Sequence, residues 1–97
     1  MVDNENVSKY QRGENVFIIE PNDEDRFGIY DSRTGLVYES NETAKRIIEF
    51  LVTPKNISAI LSVIVEEYDV DKTVALEDIK ELLEDLVSFE LVMRLDG

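Results

Sequence analysis

The spacing of apolar residues changes once along this chain, near Asn41. Before it, short β-branched and aromatic runs are separated by polar turns, the mark of strands. Val16-Phe-Ile-Ile-Glu20 reads as a first strand, stopped by the acidic cluster Pro21-Asn-Asp-Glu-Asp25, a loop by composition. Arg26 to Asp31 reads as a second, with Phe27, Ile29 and Asp31 on one face. Ser32-Arg-Thr-Gly35 is a turn, and Leu36 to Glu39 a third strand. Connections this short predict an antiparallel meander.

After Asn41 the apolar residues recur every three or four positions. Asn41 is suited to cap a helix carrying Ala44, Ile47, Ile48 and Leu51, with Glu42 at its positive end. Thr53-Pro54 ends that helix, because the residue before Pro avoids the helical region. Asn56 caps a second helix with Ile57, Ile60, Leu61, Ile64 and Tyr68 on one face. Asp71 caps a third, running to about Phe89 with Leu76, Ile79, Leu82, Leu83, Leu86 and Val87 apolar. Leu91 to Leu95 reads as a final extended segment. Residues 1 to 14 are polar and aperiodic, and are expected to form a flexible segment ahead of one domain over residues 15–95.

Composition narrows the functions open to such a domain. Ninety-seven residues make one domain with a core of its own. The chain has no Cys and no His, which removes disulfides, thiolate ligands and the commonest general base. A non-enzyme without cofactor or metal is expected. The acids Asp23, Glu24 and Asp25 are consecutive and lack the alternate spacing of a calcium loop. The net charge of -12 opposes phosphate backbones and anionic lipid and favours a basic partner, although solubility alone accounts for much of it. The longest apolar stretch, Ile57 to Val65, is too short to span a membrane, and Met1 to Asn6 lacks the regions of a signal peptide. A cytoplasmic protein is expected.

The ordered set Tyr30-Asp31…Thr34-Gly35, Asn41-Glu-Thr-Ala-Lys-Arg-Ile47, Ile60-Leu61…Glu66-Glu-Tyr-Asp-Val70 and Glu77-Asp-Ile-Lys-Glu-Leu-Leu-Glu-Asp-Leu86 resembles the PqqD family. These are the leader-peptide recognition domains of ribosomally made, modified peptides. The Asp31-Ser-Arg-Thr-Gly35 turn also resembles the free-standing leader binders of lasso-peptide pathways; radical-SAM pathways use related domains. No single piece is specific; their order is. The chain departs from the pattern at Ser40, where the family usually has Leu, and at Phe89-Glu90, where it usually has a Gly stop. Without that Gly, the third helix is expected to end without a left-handed cap.

The resemblance implies an α+β, winged helix-turn-helix-like fold: a three-stranded antiparallel meander, then three helices (βββααα). It also implies a non-catalytic accessory protein that takes a precursor peptide as an added strand and presents it to a modifying enzyme, such as a radical-SAM maturase or a lasso-type protease or cyclase. The accepting edge would be the third strand, with Leu36, Val37, Tyr38 and Glu39. The pocket would be completed by Leu76, Ile79, Lys80 and Leu83 of the third helix. The peptide would lie antiparallel to the strand. The physics is general: an edge strand is a template for another chain, and alternate side chains of the added strand read pockets. Each apolar helix residue here has ordinary core packing as its competing role. Ile79, Leu82 and Leu86 form the core stripe, which puts Leu76 and Leu83 at its margin, on the groove side. Glu39, Glu77, Asp78 and Glu81 would guide a basic peptide, or simply form a solvated face.

The second helix is uncharged from Ser58 to Val65, and Val63 and Val65 fall off its core stripe. An apolar surplus of this kind marks a contact with the N-terminal segment, a second copy or the enzyme. A monomer or weak homodimer is expected. Two other functions compete: a general protein-interaction adaptor, and a winged-helix DNA binder. The third helix opposes the latter, since from Lys72 to Glu90 it has two Lys and six acids.

Overall fold

The computed structural model describes residues 8–20 and 27–96. The expected meander is present: β2 (Val16–Ile19), β3 (Phe27–Asp31) and β4 (Leu36–Ser40) pair antiparallel in that order. Their register aligns Phe17, Tyr30 and Val37 in one row across the sheet, and Ile18, Ile29 and Tyr38 in the next. Successive side chains point to opposite faces. Ile29 faces the core, so Tyr38 faces inward while Val37 faces out. The acidic loop read at Pro21 to Asp25 lies outside the described residues.

The helices follow as α1 (Glu42–Phe50), α2 (Ile57–Tyr68) and α3 (Lys72–Ser88). Each expected cap is made. The Asn41 Oδ1 atom accepts from the Ala44 N–H at 2.9 Å, and the Asn56 Oδ1 atom from the Ala59 N–H at 2.9 Å. Asp71 accepts from Thr73 and Val74 at 2.9 and 3.2 Å. These bonds satisfy donors that a helix start would otherwise leave open.

Two features differ from the sequence reading. Part of the segment expected to be flexible forms strand β1 (Ser8–Arg12), with Ser8 and Tyr10 buried. β1 is the centre of a second antiparallel sheet, between β5 (Lys55–Asn56) and β6 (Val92–Asp96), the latter being the expected final extended segment. The fold is therefore the expected strand-then-helix order with its strands divided between two sheets. β1 also packs against α2, where the sequence reading allowed the N-terminal segment as one cover for an apolar surplus. Val65 packs on the core, and Val63 is half-buried.

The second difference is the end of α3. Glu90 adopts φ 62°, the left-handed cap that the missing Gly was expected to preclude. The Leu91 N–H reaches the Leu86 carbonyl at 2.9 Å and the Glu90 N–H reaches Val87 at 3.0 Å, the pairing of a Schellman motif. Leu91 is fully buried with Leu86 in the core, and that burial holds a non-glycine residue in an unfavourable conformation.

One core joins both sheets to the helices, with Val16, Ile29, Ile47, Ile48, Leu51, Ile60, Ile79, Leu83 and Leu91 among its members. Among the described residues no helix is long and apolar enough to cross a membrane.

Candidate functional site

β4 has β3 on one side and, among the described residues, no strand on the other. Such an edge offers backbone donors and acceptors in a row. The turn that delivers β4 is tightly built. The Asp31 carboxylate accepts from the Arg33 backbone N–H at 3.0 Å and from its guanidinium at 3.2 and 2.9 Å. Gly35, at φ 76°, donates to the Asp31 carbonyl at 2.8 Å. A left-handed residue closes this turn, and Gly adopts that conformation without a Cβ penalty. Arg33 also donates to the Glu90 carbonyl at 3.3 Å and pairs with its carboxylate at 3.5 Å, which ties the β3–β4 turn to the end of α3. The Arg33 hydrogen bonds hold the Asp31 carboxyl below its usual range.

Tyr38 of β4 stacks on Phe89, just past α3, with ring centroids 5.0 Å apart and planes inclined by 28°. At the other end, where β4 passes into α1, a hollow of about 450 Å³ opens between Asn41, Thr43 and the start of α3. Its α3 wall is Val74, Ala75, Asp78, Ile79 and Leu82, and its back is Ile64 and Tyr68 of α2. Tyr68 has its phenol pushed up, first by burial and then by the nearby carboxylates of Glu42 and Glu67. The Arg46 guanidinium binds Glu67 through both its carboxylate oxygens, at 2.9 and 3.1 Å from Nε, and locks α1 to α2 behind the hollow. The hollow therefore has Asn41 and Thr43, which follow β4, on one side, an apolar helix wall on the other, and Asp78 on its lining.

The residues expected at the site are divided by this geometry. Leu36, Val37, Tyr38 and Glu39 lie along β4, with Tyr38 facing α3 and Val37 and Glu39 on the outer face of the sheet. Ile79 forms part of the floor of the hollow. Leu76 is half-buried against the core. Leu83, expected at the margin, is a core residue at 1% exposure. Lys80 and Leu83 line a different hollow of about 490 Å³ on the opposite flank of α3, beside Tyr10 and Arg94. Glu77 and Glu81 are exposed. The groove members that sequence reasoning missed are Val74, Tyr68 and Phe89. Phe89 stands at helical spacing from Asp78 and Leu82, and that periodicity was the available signal.

The domain has an α+β, strand-then-helix (βββααα) order in which the last strand of the meander leaves one edge open among the described residues. The chain belongs to the PqqD family: the profile described as Coenzyme PQQ synthesis protein D (PqqD) matches residues 28–92. No curated protein sequence matches it. Two solved structures share the fold. "TbiB1 in Complex with the TbiA(beta) Leader Peptide" has a TM-score of 0.69 at 23% identity, over 84% of this chain and 93% of that one. "Lasso peptide synthetase B1 complexed with the leader peptide" has a TM-score of 0.69 at 20% identity, over 87% and 96%.

Proposed function

We propose that this protein binds the leader of a ribosomal precursor peptide by strand addition to β4 and presents it to a modifying enzyme. The observation that supports this most is the pairing of an open β4 edge with the α3 wall, tied together by the Tyr38–Phe89 stack. A peptide lying antiparallel to β4 gains backbone hydrogen bonds. Its inward side chains fall alternately toward the hollow lined by Val74, Asp78, Ile79 and Leu82, and toward the Phe89 end. Membership of the PqqD family and a fold shared with two proteins solved with leader peptides point the same way.

The contact set is Leu36 to Ser40 on the strand, and Val74, Asp78, Ile79, Leu82 and Phe89 on the helix side. Lys80 and Leu83 are left out of it because they line the opposite flank. Asp78 in the groove and a net charge of -12 favour a leader with Lys or Arg beside its apolar anchors. The protein supplies binding rather than chemistry: tethering the leader raises the effective concentration of the core peptide at the enzyme. This work takes place in the cytoplasm, where ribosomal peptides are made.

Titration of a fluorescein-labelled leader, from a precursor gene neighbouring this one, tests the reading. Saturable polarisation change that is competed by unlabelled leader and not by its scrambled sequence is expected. Equal competition by both peptides would leave only a general adaptor.

A further inference from the structure

The protein has a second open strand edge. β6 pairs with β1 on one side and, among the described residues, with no strand on the other. Val92, Met93, Arg94 and Leu95 all line one hollow of about 770 Å³, together with Gly13 to Val16. A hollow on one face of a strand meets only alternate side chains, so this one runs along the edge itself. Edges kept from pairing ordinarily carry charged residues or Pro. β6 instead leaves Met93 44% and Leu95 37% exposed on one face, in the rows of Gln11 and Lys9.

Charge separates this edge from β4. The strands β1, β5 and β6, of 5, 2 and 5 residues, carry Lys9, Arg12, Lys55 and Arg94 against a single acid, Asp96. β2, β3 and β4 carry Asp31 and Glu39 and no cation. In a chain with 22 acids and 10 bases, the smaller sheet is a basic island. Arg94 is exposed, stands in the Tyr10 row and donates to the Ser8 hydroxyl at 3.3 and 3.2 Å. It also lines the adjoining hollow of about 490 Å³, with Lys80 on the α3 wall.

We propose that β6 accepts an acidic, extended segment of a second polypeptide as an added strand, in the pattern apolar–acidic–apolar. The central acid lies opposite Arg94, and its two apolar neighbours lie beside Met93 and Leu95 on the other face. Backbone hydrogen bonds along the edge give affinity, and the alternating side chains give selectivity. The inference goes beyond peptide capture at β4 and does not depend on it. β4 favours a basic strand and β6 an acidic one, so the two edges sort their partners by charge.

Charge also decides against a second copy of the chain. Antiparallel pairing of two β6 strands over their full length sets Arg94 opposite Arg94, and like charges directly opposite destabilise a strand pair. A net charge of -12 on each chain adds to that repulsion, and opposes nucleic acid as well.

The probe is a short synthetic peptide in which Glu alternates with Val, titrated into the isotope-labelled protein and followed by amide shifts. Its counterpart with Lys in place of Glu is titrated in parallel. Saturable shifts centred on Met93 to Asp96 are expected from the Glu peptide, with Leu36 to Ser40 unmoved. The Lys peptide should bind β6 at least about fivefold more weakly. Arg94→Glu should cost the Glu peptide about fivefold or more, the scale of turning a favourable cross-strand charge pair into a repulsive one. Met93→Thr/Leu95→Thr is a second variant that keeps the charge, removes the apolar contacts and should also weaken binding; melting curves establish that each variant is folded. Equal affinity of the two peptides at β6, or shifts confined to β4, overturns the proposal. So does a wild-type dimer, seen by light scattering at micromolar concentration, that Met93→Thr/Leu95→Thr abolishes, which gives the edge to a second copy. A short DNA duplex that shifts the same amides at lower concentration than the Glu peptide overturns it too. No leader is present in this experiment, so its failure leaves the reading of β4 standing, and failure of a leader to bind β4 leaves this one standing.

Discussion

The Tyr38 and Phe89 rings stack with centroids 5.0 Å apart, and this contact links the edge strand β4 to the end of α3. It sets the width of the groove at one end, while the start of α3 and Asn41 set it at the other. Replacing Phe89 by Ala is expected to destabilise the fold by about 1 kcal/mol, the scale of an aromatic pair that is partly exposed. Urea denaturation measures this. The same variant should weaken leader binding more than its stability loss implies, because the strand edge loses its spacer.

The two flanks of α3 give a sharper test of the site. Val74 is 57% exposed and lines the groove, so Val74→Arg should change stability by no more than about 0.5 kcal/mol. It should nevertheless reduce leader affinity at least about tenfold by filling the hollow and removing an apolar contact. Lys80→Ala, on the opposite flank, should leave affinity within about twofold. Polarisation titrations of both variants check this, and the reverse ranking would move the site to the other side of the helix.

At the end of α3, Glu90 occupies a left-handed position at φ 62°. Glu90→Gly should therefore stabilise the protein by roughly 0.5–1 kcal/mol, the relief of a conformation that L-residues disfavour. Loss of the exposed Arg33–Glu90 pair offsets only a small part of that. Glu90→Ala keeps the strain and loses the pair, so it should be no more stable than wild type. Thermal melts of the two variants separate the backbone effect from the charge effect.

Asp31 is buried at 1% exposure, and Arg33 holds its carboxyl below the usual range by hydrogen bonding. A carboxyl lowered in the folded state adds stability above its unfolded pKa, about 3.9, and loses it as pH falls through the lower folded value. Asp31→Asn should thus be less stable than wild type at pH 7, and the gap should narrow below about pH 4. Glu67, lowered by Arg46, contributes a loss of the same sign in the same range. Melting temperatures from pH 2 to 7 for wild type and Asp31→Asn measure both.

Most of the fold was legible because its signals are local. The meander needs only short apolar runs and turns, and all three helices announce themselves with Asn or Asp caps. β1 was not legible: Ser8-Lys-Tyr-Gln-Arg12 has one apolar side chain, and Tyr10 pairs with Arg94, far along the chain. The strand exists because a distant partner completes it. The left-handed Glu90 is likewise a tertiary outcome, imposed by burial of Leu91.

The candidate site was legible on its strand side and only partly on its helix side. α3 has a hollow on each flank, one lined by Val74, Asp78 and Leu82 and the other by Lys80, Leu83 and Val87. A helix with apolar residues on two faces gives no periodic signal for which flank meets β4. Leu83 and Lys80 followed from the resemblance, and Ile79 alone of the four helix residues it implied lines the hollow behind Asn41 and Thr43.

Backbone amide-shift mapping of the isotope-labelled protein during titration with the leader peptide tests strand addition most directly. The account predicts the largest changes at Leu36 to Ser40, with a second set at Val74, Asp78, Leu82 and Phe89, and slowed exchange of β4 amides on the open edge. Changes concentrated on β2, or on β6 and the Lys80 flank of α3, with β4 unaffected, would contradict it.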